Sequence, residues 1–357
     1  PDETRIADTM GDASPVMMFE VTGGVAQRLP WFAELDESAP SDAQRALMIR
    51  PAVLLHESTR YIVALRGLKK HDGSAVPPSD AFVALRDERS KGTPVEDRAA
   101  RFEEIFSLLG AAGVKRGDLT LAWDWVTASG DALHGPLLHM RDEAFAQLGD
   151  ASPAFTITSM QSLDQAASPD IAYDVEGTFA VPDYTVPTKV GVAAAYLLDW
   201  GPAGLPMQSG VYQAHFRARI PWSVLDGQPS SVVIHGHGLN GSDAQIDNAT
   251  FDALMNKEHS IMVGCNMIGM SSEDVNATLE MLADLSGFPA LADRLHQGVL
   301  DHAFLARGMK KGFDQVPEIA ATGLVIDPNA IYYMGISQGG IFGATHMAMS
   351  LDITRGH

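Results

Sequence analysis

Along residues 1–220 the apolar positions fall in short alternating runs cut by Gly and Pro, the pattern of half-buried strands. "MMFEVTGGVAQRLPWF" holds one such run within an otherwise irregular first fifty residues. "RYIVALRGL" (Arg60–Leu68) reads as a half-buried strand ending in a turn at "KKHDGS". "DLTLAWDWVTAS" (Asp118–Ser129) sets Leu119, Leu121, Trp123 and Trp125 on one face, where large aromatics pack as core. Strand-like pieces continue through "AFTITSM", "IAYDVEGTFAVPDY", "VGVAAAYLLDW" and "GVYQAHFRARIP". One helix interrupts, at about 94–112. Thr93 suits its N-cap, Pro94 its first position, and Glu96 completes a capping box. Val95, Ala99, Phe102, Ile105, Phe106 and Leu109 form its apolar stripe, and Gly113 stops it.

The texture changes near Pro229. "SVVIHGHG" is a continuous apolar run ending in glycines, as expected of a strand buried on both faces. A helix ("DAQIDNATFDALMNKEH"), a second buried strand ("SIMVGCNMIGM"), a further helix ("SSEDVNATLEMLADL") and a long amphipathic helix ("PALADRLHQGVLDHAFLARGMKKGF") follow. "NAIYYMGIS" is a third strand and "QGGIFGATHMAMSL" the helix after it. Alternating strands and helices predict a parallel sheet with helices on its faces. The expected organisation is a β-rich module over 1–220 with one helical insertion, then an α/β domain over 221–357.

Composition narrows the partners. Lys plus Arg total 25 against 45 Asp plus Glu, a net charge of −20. So acidic a chain is unsuited to nucleic acid, whose phosphates need a basic surface. No apolar run approaches the roughly 18 residues that span a bilayer, so no transmembrane segment is expected. Cys265 is the only cysteine, which rules out an intramolecular disulfide and a multi-cysteine metal site. The start "PDETR" lacks an initiator Met, as expected if a leader was removed or the start trimmed.

Candidate chemistry sits at two glycine-rich turns. Gly335-Ile336-Ser337-Gln338-Gly339 matches G-x-S-x-G between an apolar strand and a helix that carries further glycines at Gly340 and Gly343. A strand turning that sharply into a helix strains the serine backbone, and only small neighbours permit the close approach. His235-Gly236-His237-Gly238-Leu239-Asn240-Gly241 ends the first buried strand. Glycines at such places also suit tight packing or a phosphate at a helix N-terminus, though neither P-loop lysine nor G-x-G-x-x-G spacing is present. Two histidines without a third ligand make no metal site, and a loop-ordering role suits the His235 and His237 side chains. His296, His302 and His346 are expected to be satisfied helix residues, and Cys265 a small core residue.

In this order the two motifs resemble the α/β-hydrolase family of esterases and lipases, over about residues 225–357. The preceding β-rich half is similar to the immunoglobulin-like region of large secreted bacterial lipase-like proteins. The resemblance implies a partial α/β-hydrolase acting on a carboxylic ester or lipid, located outside the cell or at its surface and requiring no cofactor or metal. It casts Ser337 as nucleophile, and the backbone N–H groups of Gln338 with His237 or Gly238 as oxyanion hole.

The family order Ser…Asp/Glu…His then raises a difficulty, because only 20 residues follow Ser337. His346 lies on the helix leaving the elbow, Asp352 follows it in the wrong order, and His357 is terminal. The usual acid and histidine would need roughly another 80–150 residues. The chain alone is therefore expected to be inactive. Its partner would be a bound C-terminal fragment, a longer precursor or another subunit. Alternatively the fold serves as a non-catalytic subunit for binding or assembly.

Overall fold

The computed structural model describes residues 4–70 and 72–357, Asp42 by its backbone alone. The chain divides into one unit ending at Leu133 and another beginning at His134. In the first, strands β1 (Val16–Thr22) and β2 (Val25–Leu29) form a hairpin, and β3 (Trp31–Leu35) and β4 (Leu47–Pro51) a separate ribbon. With β5 (Arg60–Arg66) and β6 (Leu119–Val126), β1 and β2 make an antiparallel sheet in the order β2-β1-β5-β6. Alternation puts Met17, Phe19, Ile62 and Ala64 on one face, against helices α1 (Asp80–Arg86) and α2 (Ala99–Ala111). Val16, Met18, Val63 and Leu65 face the other way, against Trp31 and Ile49 of the ribbon. The expected immunoglobulin-like sandwich is thus replaced by a sheet with helices on one face.

Three local expectations shift with it. β5 is buried on both faces rather than half-buried. The helix expected from Thr93 opens as a 3-10 turn (Glu96–Arg98) and becomes α-helical at Ala99, with Glu96 accepting the Gly92 amide. Leu121 and Trp123 are exposed because β6 is an edge strand, whereas Trp125 stacks on Tyr61.

Helix α3 (Gly130–Leu148) was not signalled in the sequence; Pro136 lies inside it. Strands β7 (Phe155–Ser162), β8 (Ile171–Asp183) and β11 (Gly210–Pro221) flank a hairpin of β9 (Thr185–Val190) and β10 (Ala193–Leu198). Then come β12 (Pro229–Gly236), helix α4 (Ala249–Lys257), β13 (Ser260–Cys265), α5 (Val275–Ala283) and the long α6 (Phe288–Lys311). The chain ends with α7 (Pro317–Ala320), β14 (Val325–Gly335), α8 (Gln338–Met349) and β15 (Arg355–Gly356).

Seven of these strands form one sheet, β15-β14-β12-β13-β11-β8-β7. Pairing is parallel from β15 to β13, the expected arrangement, and antiparallel from β13 to β7. The continuous apolar runs follow from burial on both faces. Val232, Ile234, Ile261 and Val263 join the main core with α6, while Val233 and Met262 pack beneath α4 with Met255. Helix α6 is buried along nearly its whole second half, Gln297–Met309.

A boundary at 220/221 would cut through this sheet. Strands β8 and β11 do alternate as a sandwich strand would, but β11 pairs with β13 (Phe216 opposite Cys265). Their alternation specifies strands; only long-range register reveals their partner. Among the described residues no helix is long and apolar enough to cross a membrane.

Phe216 is fully buried and meets the rings of Phe155, Phe179 and Phe313. Phe216→Ala should lower the unfolding free energy by about 3–5 kcal/mol. Amide exchange should rise in β12–β14 and α8 as well as in β8 and β11. Exchange that rises in β8 and β11 alone would contradict a single cooperative sheet.

Candidate active site

The site begins where parallel strands β12 and β14 end side by side, His235 opposite Met334 and Gly236 opposite Gly335. Ligand sites of open α/β sheets gather at this carboxyl edge. Ser337 connects β14 to α8 with φ 55 and ψ −113, a backbone conformation rare for a residue with a side chain. The glycines around it are required by contact. A Cβ on Gly339 would lie 2.1 Å from the Gly236 carbonyl oxygen, and one on Gly335 2.2 Å from that of Gly339. A Cβ on Gly236 would meet the Tyr333 hydroxyl at 2.0 Å.

Hydrogen bonds close the junction. The Ile336 amide donates to Gly236 O (3.1 Å), the Gly339 amide to His237 O (3.0 Å), and the Tyr333 hydroxyl to Gly339 O (2.6 Å). The turn after β12 thereby lies against the elbow, and a Cβ on Gly238 would sit 3.7 Å from Ser337 Cβ. Ser337 itself is exposed, and its hydroxyl makes no hydrogen bond among the described residues.

The structure distinguishes between the two loop amides considered for the oxyanion. Gly238 donates its N–H to Gln245 Oε1 at 2.9 Å, so that donor is already engaged. The amides of His237 and Gln338 have no acceptor among the described residues. Gln245, which the sequence pattern did not mark, also accepts from His235 Nε2 at 3.1 Å and so holds the loop at both ends. The His237 ring is fixed as well. Its Nε2 accepts the Met267 amide (2.8 Å), so Nδ1 carries the proton and donates to Gly238 O (2.7 Å). Burial holds both His235 and His237 below the usual histidine range.

Beneath the elbow the interior is unusually polar. His302 Nδ1 donates to Gly298 O (3.0 Å) and lies 3.3 Å from Cys265 Sγ; burial pushes the ring down to about 4. His346 is also buried, 4.9 Å from the Tyr333 ring and 5.4 Å from that of His302, and burial holds it well below the usual range. Among the described residues neither His346 nitrogen has a partner, nor does the side-chain amide of Gln338. His346 is thus not the satisfied helix histidine expected, and its buried ring is unavailable to the exposed Ser337. Asp352 is buried against Arg307 (2.7 Å) and Lys310 (3.1 Å) as a structural ion pair. β15 brings His357 beside the elbow through the backbone alone: the Gly335 amide donates to His357 O at 2.9 Å. Among the described residues no three His, Cys, Asp or Glu side chains converge as metal ligands.

No protein-family model and no curated protein matches this chain. Among solved structures it is similar to acetyl xylan esterase 1 from Thermoanaerobacterium sp. JW/SL YS485 (14% identity, TM-score 0.33, 62% of this chain and 56% of that one). It is also similar to an acetyl xylan esterase from Paenibacillus sp. R4 (12% identity, TM-score 0.33, 62% and 57%). A third is the rice cell wall degrading esterase LipA from Xanthomonas oryzae (13% identity, TM-score 0.25, 58% and 48%). The chain spans about half the length of these esterases.

Two outcomes follow from the geometry. Ser337→Gly relieves the strained φ, whereas Ser337→Ala retains it. The Gly variant should be more stable by about 1 kcal/mol in urea unfolding, after the entropic cost of glycine. The buried histidines give the second. A histidine held below its unfolded value of about 6.5 contributes stability that is complete above that pH and declines as pH falls toward its folded value. Urea midpoints should therefore fall between about pH 6.5 and 4. His346→Leu should reduce that slope by one proton and be neutral or stabilising at pH 7.

Proposed function

We propose that the complete protein is a serine hydrolase of carboxylic esters, with Ser337 as nucleophile and an acyl-enzyme intermediate. The observation that carries this is the Ser337 backbone at φ 55, ψ −113, held between glycines that no larger residue could replace. That strain projects the hydroxyl from the sheet edge toward solvent, where a carbonyl carbon can approach it. As the bond forms, negative charge moves to the former carbonyl oxygen. The unengaged amides of Gln338 and His237 would receive it, the first at the N-terminus of α8, where the helix dipole also favours negative charge. Each such donor lowers the barrier by on the order of 3 kcal/mol. The Gly238 amide is not assigned this role, since Gln245 occupies it.

No described histidine is hydrogen-bonded to the Ser337 hydroxyl. His235, His237, His302 and His346 are buried, and the His357 side chain makes no hydrogen bond. The histidine and its acid would come from polypeptide outside these 357 residues, packed beside the two-residue edge strand β15. Ile336, Ile341 and Leu351, all exposed between the elbow and β15, provide apolar surface for it. The same lack of a base favours a second reading, a non-catalytic hydrolase-fold subunit used for binding or assembly. Site of action, outside the cell or at its surface, stays with the first reading.

A fluorophosphonate probe applied to protein from its native source separates them. The catalytic reading expects the label on Ser337, with a longer chain or co-purifying polypeptide supplying the histidine. Absence of label on Ser337 in native material would exclude that reading and leave the binding subunit.

A further inference from the structure

A second cleft opens at the carboxyl edge of the same sheet, away from the elbow. Because β11 runs antiparallel to β13, its first half lies at the edge where β13 ends. Its partner β8 ends there too, with Asp183 opposite Gly210. The cleft has a volume of about 320 Å³ and lies between these strand ends, the segment after β13 and helix α6. Its nearest strand is three places from β14, about 14 Å from Ser337 at ordinary strand spacing.

The floor is built of buried, mutually bonded polar groups. Asp301 and Gln297 are each 1% exposed; Gln297 donates to Asp301 (3.0 Å) and to Pro182 O (3.0 Å), and Tyr212 donates to Asp301. Arg294 is held by Asp274 (2.5 Å) and lies 4.3 Å over the Tyr196 ring. On the wall, His215 Nδ1 is hydrogen-bonded to the buried Asp243 carboxylate, which orients the ring and leaves Nε2 free. Among the described residues the Tyr196 hydroxyl, Gln213 Nε2, His215 Nε2 and one Asp183 oxygen also have no partner.

We propose that this cleft binds a small neutral polyhydroxylated ligand, a sugar or cyclic polyol of one or two rings. Charge selects this class. An anion would meet Asp183, Glu273 and Asp301; a cation would meet Arg294, with His215 beside it. The free atoms comprise donors (Gln213), acceptors (Asp183 and, with Nδ1 donating to Asp243, His215 Nε2) and a hydroxyl able to do both (Tyr196). Adjacent hydroxyls, each donor and acceptor at once, match such a mixture without bringing a charge. The volume is at the lower end for small-molecule sites, roughly 300–1,000 Å³. The assignment does not depend on the role of Ser337.

The test is an amide NMR titration of the full chain at pH 7 with cellobiose, xylobiose and myo-inositol, and with glucuronate and glucosamine as charged counterparts. At least one neutral polyol should give saturable shifts at residues 212–215 and 266–268, and both charged sugars should bind at least 10-fold more weakly. Gln213→Ala, and His215→Gln, which can still bond to Asp243, should each weaken binding at least 5-fold with Tm unchanged. The proposal is overturned if no neutral polyol saturates, if a charged sugar binds as tightly, or if both variants bind like the parent.

Discussion

Gly236 and Gly339 meet backbone against backbone, and the elbow can exist only because they do. A Cβ on Gly339 would lie 2.1 Å from Gly236 O and 2.9 Å from Gly236 Cα, so α8 could not start where it does. Everything else at the site inherits its position from that approach. It sets Gly339 N–H on His237 O and Tyr333 on Gly339 O. It also holds Ser337 in a conformation that would otherwise cost about 1–3 kcal/mol and relax. Parallel pairing of β12 with β14 supplies the scaffold, since it ends both strands at the same edge.

That scaffold makes a distinction among polar groups that look equivalent along the chain. His235 and His237 are ring systems spent on loop order, each fixed by a named hydrogen bond and kept neutral by burial. The backbone at His237 remains chemically free while the backbone at Gly238 does not, and the difference is the side chain of Gln245. The paired His215 and Asp243 have the orientation a general base needs. His215, the member that would take a proton, lies on β11, three strands from β14 and Ser337, so the pair serves the second cleft and not the serine.

Much of this was legible in the sequence. "SVVIHGHG" and "SIMVGC" read as buried strands and "IYYMGIS" as a third strand, and the helices between them predicted the parallel order. G-x-S-x-G between strand and helix located the elbow because its glycines answer a steric need that the structure displays. The domain boundary was not legible, since β8 and β11 carry the same period whether they join a sandwich or the edge of an α/β sheet. Gln245 escaped notice because a polar residue on a short turn has no periodicity to mark it. His215 and Asp243 lie 28 positions apart, on a strand and a turn, and meet only through tertiary register.

The central claim is that Ser337 stands beside two amides waiting for a developing negative charge. It is tested most directly by a crystal structure of the protein phosphonylated at Ser337. The account predicts the phosphoryl oxygen about 2.7–3.1 Å from both the His237 and the Gln338 nitrogens, with Gly238 still donating to Gln245. A phosphoryl oxygen turned to solvent, or bound by Gly238 after Gln245 has let go, would contradict it.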